Sequence, residues 1–339
     1  MKPRTYKEAG VDIEKEEESI ASLVSQLKYR RRGLGSPIDL PGFFTAAIDF
    51  GDWVLTLNTD GVGTKLLVAR ELGKWDTVGI DCVAMNVNDA LCVGAEPLAM
   101  VDYFALDKYE EEVARQVGTG LDKGAQIANI TIIGGELATI PEIVKGYDLV
   151  GTCLGYARKD RIIDGKDVRR GHVILGLRSS GLHSNGYTLA RKLLQAEDVS
   201  YDEMVPGDQE TYGEAMLRPM EIYVREVLEV LQTCRVAGMA HITGGGFRNI
   251  ARIRRDLRFE ISDPFDPQPI FKALQEMGGL ESREMLTTFN MGLGFVLVMA
   301  EEEADIALKA LRKGREAKVI GVVREGSGVE VPPMGVSLE

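Results

Sequence analysis

Hydrophobic residues recur along the chain with two different periods. Positions 53–57 (WVLTL) alternate weakly in β-prone residues, and 99–105, 130–133, 147–157, 173–177 and 319–323 form further short apolar runs. All six predict strands. Helical spacing takes over in 13–29, where Ile20, Leu23, Val24 and Leu27 share one side, and again in 82–93, in about 109–128 and after Gly186. Short strands mixed with long helices predict an α/β or α+β chain. The polar, turn-rich stretch RIIDGKDVRRGH from Arg161 halves the sequence and predicts two domains, 1–168 and 169–339.

The helix predicted at 82–93 is unusual. Val83, Ala84, Val87, Ala90 and Leu91 share one face, while Asp81, Asn86, Asn88 and Asp89 fall on the rest together with Cys82, Met85, Cys92 and Val93. A helix apolar nearly all round is buried. Buried carboxylates require a partner, which can be a metal ion or, for Asp81, an N-cap with amide contacts. Just upstream, NTDGVGTK places Asp60 at a strand end, followed by Gly61, Gly63, Thr64 and Lys65. Turn glycines leave backbone amides free to face an anion, although the same pattern also fits a plain turn with a solvated lysine. It is not a Walker A loop, whose glycines are spaced differently. The strand at 130–133 is expected to end in Gly134-Gly135-Glu136, a second carboxylate placed like Asp60.

Charge narrows the range of functions. A net charge of −12 and an isoelectric point near 5.0 argue against a nucleic-acid partner but leave room for a phosphorylated ligand held by a few local cations. The four cysteines, at 82, 92, 153 and 234, lie in apolar surroundings and read as reduced core residues. No apolar run approaches the roughly 18 residues of a membrane span, and the charged N-terminus lacks a signal sequence, so a cytoplasmic protein with no membrane contact is expected. The basic run from Lys28 to Arg32 fits either a solvated helix end or a loop closing over phosphates.

In the second half, strand 173–177 leads into a loop holding Ser179, Ser180, His183, Ser184 and Asn185, then a helix. Strand–loop–helix units place small polar groups where an anionic ligand sits. His183 there can carry a proton or donate a hydrogen bond. Further on, Thr243 precedes Gly244, Gly245 and Gly246, three glycines whose entropic cost suggests close approach by a ligand or another segment.

Seven motifs in order carry a resemblance: YKEAGVDI (6–13), NTDGVGTK (58–65), GIDCVAMNVNDALCVGAEPL (79–98), GGELATIP (134–141), SSGLHSNGYTL (179–189), TGGGFRN (243–249) and TFNMGLGF (288–295). The chain resembles the phosphoribosylformylglycinamidine cyclo-ligase (aminoimidazole ribonucleotide synthetase) family almost end to end. It departs at 40–47, where LPGFFTAA stands in place of a GGFGA-like loop. The resemblance implies two α/β domains, the N-terminal one binding ATP and completing a β-barrel across a homodimer, the C-terminal one a mixed sheet with helices that binds the ribonucleotide. It implies ATP-dependent cyclisation of formylglycinamidine ribonucleotide in purine biosynthesis. An amide-type oxygen is phosphorylated and a neighbouring nitrogen then attacks within the same molecule. The implied magnesium ligands are Asp60, Asp81, Asp89 and Glu136. The implied nucleotide contacts are Asp60, Gly61, Gly63, Thr64, Lys65, Asp81, Asn86, Gly134, Gly135 and Glu136. His183, Lys65 and Asp89 are the implied catalytic groups, and Ser179, Ser180, Ser184, Asn185, Thr243, Gly244, Gly245 and Gly246 the implied substrate contacts. Related enzymes fit less well: no cysteine precedes Cys82 as in a selenophosphate synthetase, the chain ends VSLE rather than in the cysteine of a hydrogenase-maturation dehydratase, and a thiamine-monophosphate kinase has GGD in place of Gly134-Gly135-Glu136. A non-catalytic nucleotide-binding subunit is disfavoured because the aspartates are all present.

Overall fold

Two mixed sheets, one in each half of the chain, carry helices packed on and between them. The structure, a computed structural model, describes residues 2–43 and 45–339. Phe44, inside LPGFFTAA, lies outside the described residues. The first sheet contains β1 (Pro37–Ile38), β2 (Ala46–Phe50), β3 (Trp53–Gly61), β4 (Glu96–Leu106), β5 (Thr131–Thr139) and β6 (Tyr147–Arg158), in the order β1-β2-β3-β6-β4-β5. Only β4 and β5 run parallel. The first half also holds helices α1 (Ile13–Val24), α2 (Lys65–Leu72), α3 (Val78–Leu91) and α4 (Glu111–Ala128).

The second sheet contains β7 (Val173–Arg178), β8 (Val236–His241), β9 (Leu257–Ile261), β10 (Leu293–Met299), β11 (Ala317–Glu325), β12 (Gly328–Val331) and β13 (Val336–Leu338), in the order β13-β12-β9-β11-β7-β10-β8. Its helices are α5 (Tyr187–Ala196), α6 (Tyr212–Leu217), α7 (Val224–Thr233), α8 (Arg248–Ala251), α9 (Pro269–Gly278), α10 (Ser282–Thr288) and α11 (Glu301–Leu311). The fold class is therefore a two-part mixed α/β architecture. Both sheets are open within the chain.

Strand alternation decides what each face of the first sheet meets. In β3, Val54, Thr56 and Asn58 are buried beneath α3, so Trp53 and Leu57 point to the opposite side, where they remain exposed. In β4, Met100 and Phe104 face inward while Val101 and Tyr103 are exposed on that same outer side. Helix α3 lies so close to α4 that side chains are excluded at the crossing. A Cβ on Gly79 would stand 2.3 Å from the Leu121 amide nitrogen, and one on Gly120 would stand 2.5 Å from the Asp76 carbonyl oxygen.

One contiguous apolar core runs through both halves, from Leu66, Val83 and Val87 in the first to Tyr223 and Phe295 in the second. Two expectations change. The first helix stops at Val24 rather than continuing to 29. Gly134 and Gly135 lie inside β5 and pair with Val101 and Asp102, so they form no turn.

Candidate active site

Every residue of α3 is buried, polar ones included. Their partners come from the chain itself. Lys65 Nζ stands 2.7 Å from Asp81 Oδ2, and both side chains are fully enclosed. The lysine also donates to the carbonyls of Arg218 (2.7 Å) and His183 (3.3 Å), while Asp81 Oδ1 accepts from the Met220 amide at 2.7 Å. Burial pulls the lysine pKa down and the carboxyl pKa up, and each partner's charge pushes the other back. Lys65 and Asp81 are thus a buried ion pair that ties the first half to the 218–223 segment. Two of the residues expected at the nucleotide, Asp81 and Lys65, thus meet each other and backbone groups of the second half.

Asn86 is also occupied. Its Oδ1 accepts from the Asp60 amide (3.1 Å), and its Nδ2 donates to the Asp60 and Cys82 carbonyls (3.1 and 2.9 Å). Asn86 fixes the end of β3 onto α3. Asn88 links the halves in the same way: its Nδ2 donates to the Glu221 carbonyl at 2.8 Å and its Oδ1 accepts from the Tyr223 amide at 3.0 Å.

Asp60 and Asp89 are different. The Asp60 pKa is raised to about 7, first by burial and then by the charge of Asp89, with the Gly61 amide pulling it back. A buried carboxylate whose pKa is raised partly by the charge of a second carboxylate suits a hard ion shared with it. Glu136 does not join them. In β5 it sits opposite Tyr103, so it faces the outer side of the sheet, whereas Gly135 lies over Asp102 on the helix side. Among the described residues no three His, Cys, Asp or Glu side chains converge on one point, so the four-carboxylate set is not assembled. After Asp60, the chain turns at Gly63 (φ 68°), where a Cβ would meet nothing within 4 Å. Thr64 bonds across to Thr188 in the second half (3.1 Å).

The loop after β7 folds upon itself. Ser179 Oγ donates to the Gly181 carbonyl and to Asn290 Oδ1, and Ser180 Oγ donates to the Pro219 carbonyl at 2.7 Å. These two serines hold the loop in shape. His183 sits at φ 61° and is 1% exposed; its Nε2 accepts from the Ser180 amide at 3.2 Å. That assigns the proton to Nδ1, which has no partner. Burial, reinforced by the charges of Lys65 and Arg315, holds the His183 pKa well below its ordinary value. His183 is therefore a neutral imidazole whose Nδ1–H is an open donor.

Unpartnered polar atoms gather beside it. Ser184 Oγ, Asn185 Nδ2 and Asn249 Oδ1 are buried without a hydrogen bond. Cβ atoms on Gly244 and Gly245 would stand 3.3 Å from Asn185 Oδ1 and Asn249 Oδ1 respectively, so the two loops meet here. Gly246 is required by packing instead. At φ 56°, a Cβ there would stand 2.2 Å from the Leu286 carbonyl. Buried polar groups are ordinarily satisfied, and a cluster left open fits a polar ligand. Asn249 was not among the sequence candidates, although it closes the TGGGFRN motif. His241 was also passed over, yet its Nδ1 lies 2.9 Å from Asp89 Oδ1.

Comparison with known proteins places this arrangement in a class. Residues 45–157 match the family model described as AIR synthase related protein, N-terminal domain, and 169–332 match AIR synthase related protein, C-terminal domain. The solved structure described as the HypE–HypF complex aligns with TM-score 0.66 at 16% identity, covering 92% of this chain and 95% of that one. AaThiL complexed with AMPPCP and TMP aligns with TM-score 0.65 at 16% identity, covering 96% and 94%. At such identities the likeness shows the fold alone. Sequence carries the rest. Phosphoribosylformylglycinamidine cyclo-ligase of Methanosarcina barkeri is 50% identical over 328 residues, 96% of each chain, and that of Thermoplasma acidophilum is 48% identical over 95% of each. The chain belongs to the phosphoribosylformylglycinamidine cyclo-ligase family. Among the described residues no helix is long and apolar enough to cross a membrane.

Proposed function

We propose that this protein catalyses the ATP-dependent closure of formylglycinamidine ribonucleotide to aminoimidazole ribonucleotide, releasing ADP and phosphate. The observation that carries the reading is the 50% identity, sustained over 96% of both chains, with a relative of that name. Residues 1–168 hold the nucleotide in this reading and 169–339 hold the ribonucleotide. The γ-phosphoryl of ATP passes to the amide-type oxygen of the substrate. The neighbouring nitrogen then attacks the same carbon, and the C–O bond breaks with phosphate carrying away the electron pair. Positioning and charge neutralisation supply most of the acceleration in such transfers.

The residues divide accordingly. Asp60 and Asp89 fit a magnesium ion, because that ion needs only one or two carboxylates when phosphates and water complete its shell. Bound there, magnesium would neutralise charge on the transferred phosphoryl group. The open turn at Gly63 offers backbone amides to the nucleotide. Ser184, Asn185, Asn249 and the Gly244–Gly245 backbone bind the ribonucleotide, and His183 donates its Nδ1–H to it.

The exposed Trp53, Leu57, Val101 and Tyr103 on the outer face of the first sheet support pairing with the same face of a second copy, completing a barrel and covering the β5 edge. Light scattering would then give about twice the 37.1 kDa chain mass, and a stable active monomer would refute the pairing. The assay for function is ADP release by the purified protein. It must depend on formylglycinamidine ribonucleotide and on magnesium. Equal ATP hydrolysis with thiamine monophosphate, and none stimulated by the purine precursor, would overturn the assignment.

A further inference from the structure

The bond between Asp89 and His241 joins the two halves of the proposed site. Asp89 lies on α3 in the first half and is 4% exposed; His241 ends β8 in the second half and is 1% exposed. Their 2.9 Å contact runs from the imidazole Nδ1 to one carboxylate oxygen, Oδ1. The opposite ring nitrogen faces the Asn88 amide at 3.5 Å. Asn88 Nδ2 can only donate, so Nε2 is the acceptor and Nδ1–H the donor. The imidazole is thus pinned by two successive residues of α3.

His241 is also part of the ribonucleotide loop. Its carbonyl accepts from Asn249 Nδ2 at 3.3 Å, and that amide also donates to Thr243 Oγ1 at 3.1 Å. The remaining polar atom of Asn249, Oδ1, has no partner and lies beside Gly245. A continuous bonded path therefore runs from Asp89, through the His241 ring and backbone, to Asn249, Thr243 and the glycine turn. Any ligand that engages Asn249 Oδ1 pulls on the residue that orients Asp89. Any cation that engages the second oxygen of Asp89 pulls in return.

We propose that His241 is a positioning residue that couples nucleotide binding to ribonucleotide binding by holding Asp89 through its Nδ1–H. The inference rests on the assignment of ligands made above. It requires that each ligand strengthen the other by the same factor, because coupling between binding sites is reciprocal. The warrant is a bonded connection between two named groups rather than proximity alone.

The test is calorimetric titration of the whole protein with a magnesium–ATP analogue that cannot transfer its phosphoryl group, with and without saturating aminoimidazole ribonucleotide. In the unaltered protein the ribonucleotide should tighten analogue binding by roughly five- to a hundredfold. His241→Asn keeps a donor near the position of Nδ1 and should retain most of that factor. His241→Gln carries its amide out to the Nε2 position, and His241→Leu carries none. Both should bring the factor to about one while each ligand alone still binds. Should the leucine variant fail to fold, the asparagine–glutamine contrast decides, since both are polar and differ by one methylene. Retained coupling in the glutamine variant overturns the inference. So does an unaltered protein that binds both ligands independently, and that result leaves the enzymatic assignment standing. An unaltered protein that binds neither ligand overturns the assignment itself and the inference with it.

Discussion

Replacing Asp60 by asparagine should make the ligand-free protein more stable, and more so at high pH. The carboxyl accepts from the Gly61 amide and lies under the influence of Asp89 in a largely dry position, so its pKa stands at about 7 instead of 3.8. A raised folded-state pKa means that the folded chain holds the proton more tightly than the unfolded chain does. The stability this brings is present below about pH 4 and is lost as pH rises through 7. At roughly 1.4 kcal/mol per pH unit, the ionised carboxylate costs the folded state up to about 4 kcal/mol at pH 8 and about 2 kcal/mol at pH 5. Some contact with water lowers both figures. An amide keeps the acceptor for Gly61 and carries no charge. Asp60→Asn should therefore raise unfolding stability by about 2 kcal/mol or more at pH 8, and by half that or less at pH 5. Urea unfolding in the presence of a chelator, at both pH values, measures the difference. An equal gain at the two pH values, or a loss at pH 8, would show that Asp60 is not held near-neutral by burial and Asp89. The same substitution should depress turnover, since the destabilising charge is the one magnesium needs.

Two further outcomes follow from buried groups elsewhere in the site. Lys65→Met or Asp81→Leu alone should lower stability by about 3–5 kcal/mol, because each strands its partner's charge, whereas the double substitution Lys65→Met with Asp81→Leu should recover much of the loss; a urea double-mutant cycle with additive losses would sink the ion-pair reading. His183→Gln should raise KM for the ribonucleotide and leave both limbs of the pH–rate profile in place, because a neutral imidazole with a pKa far below 6.5 contributes no limb near pH 7; loss of one limb on substitution would restore His183 as a proton carrier.

Much of the fold was legible because it depends on local periodicity. Weak alternation at 53–57 marked β3, and the all-round apolar character of 82–93 marked α3 as buried. The site was legible only where chemistry is local. Gly63 takes the positive φ its turn needs, and the glycine run from Gly244 announced a close approach, which Gly246 makes to the Leu286 carbonyl. Partners of the α3 polar residues were not legible, since Met220, Glu221, Tyr223 and His241 lie more than a hundred residues away in sequence. A buried aspartate announces that it has a partner but not whether the partner is a metal, a lysine or an amide. Glu136 was misplaced for a related reason. Two glycines read as a turn, yet the parallel neighbour β4 gave them strand partners and turned the glutamate to the outer face.

The grip of α3 on the 218–223 segment also has a consequence for how the chain is made. When a ribosome has released the first sheet, through Arg158, Asp81 already has Lys65 and Asn86 already has Asp60, but Lys65 lacks the Arg218 carbonyl, Asp81 lacks the Met220 amide, and Asn88 lacks both Glu221 and Tyr223. About 65 further residues must emerge before these groups are met, which takes roughly 3–13 s at ordinary elongation rates. During that interval the nascent chain carries a helix that is apolar on one side and only partly satisfied on the other. The first sheet can form its strand pairs, but its covering layer waits for a segment encoded well past the middle of the message.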